Sequence, residues 1–176
     1  LSWVAIGARS AEDQEHRIFA SMINHPVGIK NPTSGNLDIA INSIIAAQHS
    51  HVFLHNSRQL RTLGNAHAHL VLRGGDGESN IYLDNLQKAK VKLEEKTDNP
   101  SIIVDCSHDN SIDPASGKKD PLKQPEVLLR VIDHMIKDDV SLNDTIKGFM
   151  VESFIETGNQ NLNNVEKLDD LNLKGL

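Results

Sequence analysis

The strongest constraint on what this chain can fold into is an alternation. Short apolar runs with β-branched content recur along it, and longer segments with helical spacing separate them. Ser2–Arg9 ("SWVAIGAR"), Pro26–Asn31 ("PVGIKN"), His67–Gly75 ("HAHLVLRGG"), Ser101–His108 ("SIIVDCSH") and Lys147–Ser153 ("KGFMVES") read as strands. Between them, Ile18, Met22 and Ile23 follow Ser10, a candidate cap, and Leu37, Ile41, Ile44 and Ile45 follow Asn36. Tyr82–Glu95 is helical and charged. Pro125 suits a first helical turn, with Val127, Leu128, Val131, Ile132 and Met135 as a buried stripe. His51–His55 ("HVFLH") is also strand-like, and the short polar segment after it suggests an added β-hairpin arm around His51–His69. Asp109–Lys119 reads as a polar loop, and no element is assigned beyond Thr157. Strands alternating with helices require right-handed crossovers, which give a parallel sheet of the α/β class. With no repeat and no Gly/Ser linker, residues 1–176 are expected to be one domain.

Composition narrows the function classes. An apolar fraction of 38% and a charged fraction of 24% suit a globular protein with a real core. A net charge of −6 without a Lys/Arg cluster argues against nucleic acid. No stretch approaches a membrane span, and a single cysteine points to a reducing cytoplasm. The chain starts at Leu1 inside an apolar run and stops at "LNLKGL", so it is expected to be part of a longer polypeptide.

The ends of the five runs carry the chemistry. They terminate at Arg9, Lys30, Arg73, His108 and Glu152, spaced 21, 43, 35 and 44 residues apart. In a parallel sheet these ends lie on one edge, where ligands bind and barrel enzymes assemble catalytic residues. Three cations make a cradle for a phosphate and a carboxylate, and His108 with Glu152 makes half of a divalent-metal site. The residues therefore point to a metal-dependent enzyme acting on a small phosphorylated acid. Each also has a structural reading: Arg9, Lys30 and Arg73 as solvated charges, His108 as a hydrogen-bonded imidazole, Glu152 as the partner of a lysine. The glycines of "RGG" (Arg73–Gly75) leave room for backbone amides to approach an anion. His67 and His69 read as surface or hairpin residues, and Cys106 as a core or lining residue without an assigned base. Asp105 is expected to orient the site or to hydrogen-bond backbone.

Together, "AIGAR", "PVGIKN.T.G", "LVLRGG", "VDCSHDNS" and "MVES...GNQ" make the chain resemble the class I 3-deoxy-D-arabino-heptulosonate 7-phosphate (DAHP) synthases from Leu1 to about Gln160. The resemblance implies a (β/α)8 TIM barrel, of which this chain would cover strands four to eight plus the hairpin arm. It implies condensation of phosphoenolpyruvate with erythrose 4-phosphate, the first step of the shikimate pathway, with a divalent metal (Mn, Fe, Co or Zn). Carried over by motif, Ala8, Arg9, Lys30 and Arg73 fall on phosphoenolpyruvate positions and His108 and Glu152 on metal ligands. Lys30 and His108 then become the catalytic pair. An aromatic amino-acid inhibitor would bind near Ile23, Asn24, Phe53 and His55, although Asn24 and His55 replace serines of relatives and the arm is shorter.

The resemblance also marks departures. The family's metal-binding Cys and the Asp of a Ser-Ile-Thr-Asp segment are not among these 176 residues, nor is the Lys-Pro-Arg-Thr loop for the aldose phosphate. Cys106 occupies a position where relatives carry Phe. The chain alone is therefore expected to be inactive and, with two open sheet edges, to form homo-oligomers. The alternatives are a non-catalytic remnant serving as a binding or regulatory module, and a 3-deoxy-octulosonate 8-phosphate synthase-like enzyme.

Overall fold

In the computed structural model, which describes residues 2–138 and 140–156, the five runs form one sheet. Its strands are β1 (Val4–Ile6), β2 (Val27–Lys30), β5 (Ala68–Leu72), β6 (Ile102–Asp105) and β9 (Ile146–Met150), in that spatial order. Every neighbouring pair is parallel. Each crossover adds its strand to the same edge, so the strand order never reverses. The crossover helices are α1 (Gln14–Met22), α2 (Leu37–Gln48), α3 (Leu83–Glu94) and α4 (Gln124–Asp133). Among the described residues no helix is long and apolar enough to cross a membrane.

Alternation along the strands sorts the side chains onto two faces. Val27, Ile29, Leu70, Leu72, Ile102, Val104 and Ile146 face the helices and pack with Ile41, Ile44, Leu86, Leu93, Val127 and Val131 into the main core. The other face carries Gly28 and Lys30, His69, Val71 and Arg73, Ile103 and Asp105. Thus the residues that end each strand are in phase with the second face, not with the core.

Helix starts follow side-chain capping. Asn36 accepts from Asp38 N at the head of α2, as its position suggests. Ser10 does not cap α1. Its amide donates to Gly7 O in a turn, and Asp13 is the cap, accepting from Glu15 N at 3.0 Å and holding His16 at 2.6 Å.

The hairpin arm is smaller than its expected span. Its strands are β3 (Val52–His55) and β4 (Arg58–Arg61), joined by Asn56 and Ser57, both at positive φ. That two-residue turn matches the twist of an antiparallel pair, so the polar segment itself supplies the returning strand. "HAHLVL" belongs instead to the centre of the parallel sheet. The arm's base is anchored where Thr62 Oγ1 accepts from His51 N at 2.8 Å and lies 2.8 Å from Ser21 Oγ of α1. Asp109–Lys119 is likewise structured, as a 3-10 turn (His108–Ser111) followed by the short pair β7 (Ile112–Asp113) and β8 (Lys118–Lys119).

His69 is neither a surface nor a hairpin residue. It is buried on β5, accepts from Trp3 Nε1 at 2.9 Å through Nε2, and donates from Nδ1 to His67 O at 2.8 Å. Both bonds suit the neutral ring, and burial lowers its pKa accordingly. Trp3 is thereby laid across Gly28, where a Cβ would meet Val71 Cγ2 at 2.6 Å and Trp3 Cζ2 at 2.7 Å. Gly28→Ala should therefore overpack this face and cost about 1–3 kcal/mol. Urea denaturation checks it, and an unchanged midpoint would show that Trp3 is not held there.

Candidate active site

At the C-terminal ends of the strands lies a cavity of about 480 Å³, lined by Arg9, Lys30, Arg73, Lys119, His108 and Glu152, with Ala8, Ser10 and Thr33 at its side. The five strand-end residues do converge on one mouth, as parallel strands require.

Two short-range devices present the metal-type donors. Strand β6 ends at Asp105, three residues before His108. Asp105 Oδ1 accepts from Ser107 N at 3.0 Å and Ser107 Oγ at 2.8 Å, which turns the chain sharply. His108 then sits at φ 56°, a left-handed conformation that costs a non-glycine residue energy. The imidazole is delivered by this turn and not, as the sequence suggests, by the strand itself. Glu152 lies two residues past β9, and the buried Gln124 of α4 holds its backbone. Gln124 Oε1 accepts from Glu152 N at 2.9 Å, and its Nε2 donates to Glu152 O at 2.6 Å.

The result is a compact cluster. Lys30 Nζ donates to Glu152 Oε1 at 2.8 Å and lies 3.1 Å from His108 Nε2. It is also 2.7 Å from Oδ2 of the fully buried Asp105, a close ionic contact. His108 Nε2 is 3.3 Å from Glu152 and 3.4 Å from Asp105. Hydrogen bonding from His108, then from Lys30, outweighs partial burial and lowers the Glu152 pKa to about 2. Asp105, His108 and Glu152 each offer one donor atom, all within 4.8 Å of one another. One imidazole nitrogen and two carboxylate oxygens suit a divalent transition metal, so the donor set fits such an ion. Sequence reasoning paired only His108 with Glu152 and expected Asp105 to orient the site or to hydrogen-bond backbone, not to join the donor set.

Arg73 is the second centre. Its side chain is 5% exposed, and Nε and Nη1 are buried without a hydrogen-bond partner. Nη2 is 3.6 Å from Asp109 Oδ1, itself 3.1 Å from Lys119 Nζ. Its amide donates to Asn31 Oδ1 at 3.0 Å, and Asn31 Nδ2 donates to Gly74 O at 2.8 Å, tying β2 to β5. Lys119 had no signal in the sequence beyond its place in a polar loop. The glycines after Arg73 serve packing and not anion approach: Gly74 N donates to Asn80 Oδ1 and Gly75 N to Glu78 O. A Cβ on Gly75 would lie 2.2 Å from Gly35 N.

The remaining candidates are spread out. Cys106 is buried, and burial with the Asp105 charge raises its pKa to about 11, so it is no nucleophile. Ile23 closes α1 and packs against the core, Asn24 is exposed beside it, and Phe53 and His55 stand on the hairpin. None of these four lines the cavity at the strand ends. Gly158–Gln160 of the "GNQ" motif lie outside the described residues.

A model of the DAHP synthetase I family matches residues 1–175. The chain belongs to this family. It is 42% identical over 165 residues to the tyrosine-sensitive phospho-2-dehydro-3-deoxyheptonate aldolase of Escherichia coli K12, covering 91% of this chain and 43% of that protein. A putative aldolase of the same name from Schizosaccharomyces pombe is 38% identical over 165 residues, covering 91% and 42%. A solved phospho-2-dehydro-3-deoxyheptonate aldolase from Francisella tularensis superposes with a TM-score of 0.80 at 31% identity, over 98% of this chain and 48% of the other. The chain thus spans under half the length of each of these family members.

Two outcomes follow from the cluster. Asp105→Asn should cost about 3 kcal/mol, because it removes a buried partner of the Lys30 charge; equilibrium unfolding measures it. Glu152 has a depressed folded pKa, so its ion-pairing contribution is full above pH 4.5 and lost as pH falls toward 2. The stability difference between wild type and Glu152→Gln should shrink over that window, and a difference constant with pH would refute the pairing.

Proposed function

We propose that this chain supplies the phosphoenolpyruvate- and metal-binding part of a DAHP synthase site, which condenses phosphoenolpyruvate with erythrose 4-phosphate and releases phosphate. The observation that carries this reading is Arg73: it lines a cavity together with three further cations, and two of its guanidinium nitrogens are buried without partners. Such donors demand an anion, because leaving them unpaired in a buried site is costly. Phosphoenolpyruvate carries two anionic groups. The planar fork of Arg73 suits one, and Arg9, Lys30 and Lys119 supply point charges for the other. Ala8 and Thr33 border the same space.

Asp105, His108 and Glu152 would hold the divalent ion, whether Mn, Fe, Co or Zn. When bound, that ion supplies Lewis-acid polarisation of the aldehyde oxygen or of a water. Lys30 helps to keep Glu152 ionised and stands between the anion cradle and the donor set. In this reading the sheet is the strand-four-to-eight portion of a (β/α)8 barrel, forming a single partial barrel domain. The names of tyrosine- and tryptophan-sensitive relatives support an aromatic inhibitor, for which Ile23, Asn24, Phe53 and His55 remain the proposed contacts. The 176 residues contain neither the family's Lys-Pro-Arg-Thr loop nor its metal-binding Cys at the matching place, which supports inactivity of this chain by itself.

Calorimetric titration with phosphoenolpyruvate tests the reading. The chain should bind it, and Arg73→Met should weaken binding about 10- to 100-fold, the loss of charge-assisted hydrogen bonds. Equal binding by a folded Arg73→Met variant would overturn it. Phosphate release from the two substrates by the 176-residue chain alone would overturn the proposed inactivity.

A further inference from the structure

Lys30 occupies a position that the metal-binding reading makes significant. Its Nζ lies 2.7 Å from Asp105 Oδ2, 2.8 Å from Glu152 Oε1 and 3.1 Å from His108 Nε2. Of these three atoms, His108 Nε2 is 3.4 Å from Asp105 Oδ2 and 3.3 Å from Glu152 Oε1, and the three residues are those whose donor atoms gather within 4.8 Å. The ammonium therefore sits at their common focus. A divalent ion held by the same atoms at roughly 2.0–2.2 Å needs that same point. Ammonium and metal cannot share it, since the three atoms leave room for one cation and two cations in contact repel.

We propose that the Lys30 ammonium and the divalent ion are alternative occupants of one cage, so that metal entry swings Lys30 Nζ out of the carboxylates and into the anion cavity. This rests on the metal-binding reading given above. The geometry permits the swing. Lysine carries its charge on a flexible four-carbon stem, and Lys30 already lines the cavity that holds Arg9, Arg73 and Lys119. Asp105 and Glu152 are never left without a cation, because one replaces the other. The exchange also couples two ligands. A metal that releases Lys30 adds a cation to the anion cradle, and by linkage an anion that captures Lys30 favours the metal equally. The site would thus fill cooperatively with a divalent ion and a phosphorylated acid.

Mn²⁺ binding, read by electron paramagnetic resonance on the full chain, tests the exchange. Lys30→Met removes the competitor and should bind Mn²⁺ at least about tenfold more tightly than wild type, a difference of about 1.4 kcal/mol. Equal or weaker binding by the folded variant overturns the exchange while leaving the metal site standing. Mn²⁺ binding to neither protein overturns both. Should Lys30→Met not fold, wild type decides the matter through acetic anhydride labelling read by mass spectrometry of the Lys30 peptide. Labelling should rise when Mn²⁺ is added, and labelling that falls or stays constant overturns the exchange.

Discussion

The site depends on one electrostatic arrangement: a lysine ammonium from β2 held between a fully buried aspartate from β6 and a glutamate just past β9. Bringing such charges out of water is costly, and their mutual attraction only offsets that cost when the geometry is good. Buried ion pairs are weak evidence of stabilisation, so this cluster is better understood as a device that positions groups. It can exist because parallel strands deliver all their C-terminal ends to one edge, and because the strand-end residues are in phase with the face turned away from the helix-packed core. A register slip of one residue in β2 would send Lys30 into that core.

Around the cluster, uncharged amides do the positioning. Asn31 links the ends of β2 and β5. Asn110 Nδ2 donates to Asp105 O at 2.8 Å, while its Oδ1 accepts from Asn80 N at 2.9 Å, binding the loop after β5 to the turn after β6. Gln124 grips Glu152 from α4 much as a neighbouring strand would. These side chains are buried, and each bonds backbone on a different element. They hold the loops that carry function to the rigid sheet, and that rigidity lets His108 persist in a left-handed conformation.

Much of this was legible in the chain itself. The five apolar runs and the polar residue that closes each one are local patterns, and they located Arg9, Lys30, Arg73, His108 and Glu152 at the strand ends. Other parts left almost no local trace. Nothing local marks Asp105 as a third donor beside His108 and Glu152, Lys119 reads as one charge in a polar loop, and Gln124 carries no signal. The returning strand of the hairpin, Arg58–Arg61, lacks apolar alternation because it is exposed throughout, so its only cue was the Asn56–Ser57 turn. His69 misled because an isolated histidine is usually at the surface, whereas here Trp3 supplies the donor that lets it be buried.

The sequence by itself determined the α/β class, the parallel sheet and which polar residues stand at the C-terminal ends of its strands. These follow from periodicity and propensity, which act over a few neighbouring residues. Only the tertiary structure decided that Asp105 joins His108 and Glu152, that Arg73 keeps two buried donors open, and that Lys30 sits at the centre of the donor set. Lys30 and Glu152 are 122 residues apart in the chain and 2.8 Å apart in space. Such a distance is set by register, crossover handedness and the side-chain clamps on the loops, and no local pattern records it.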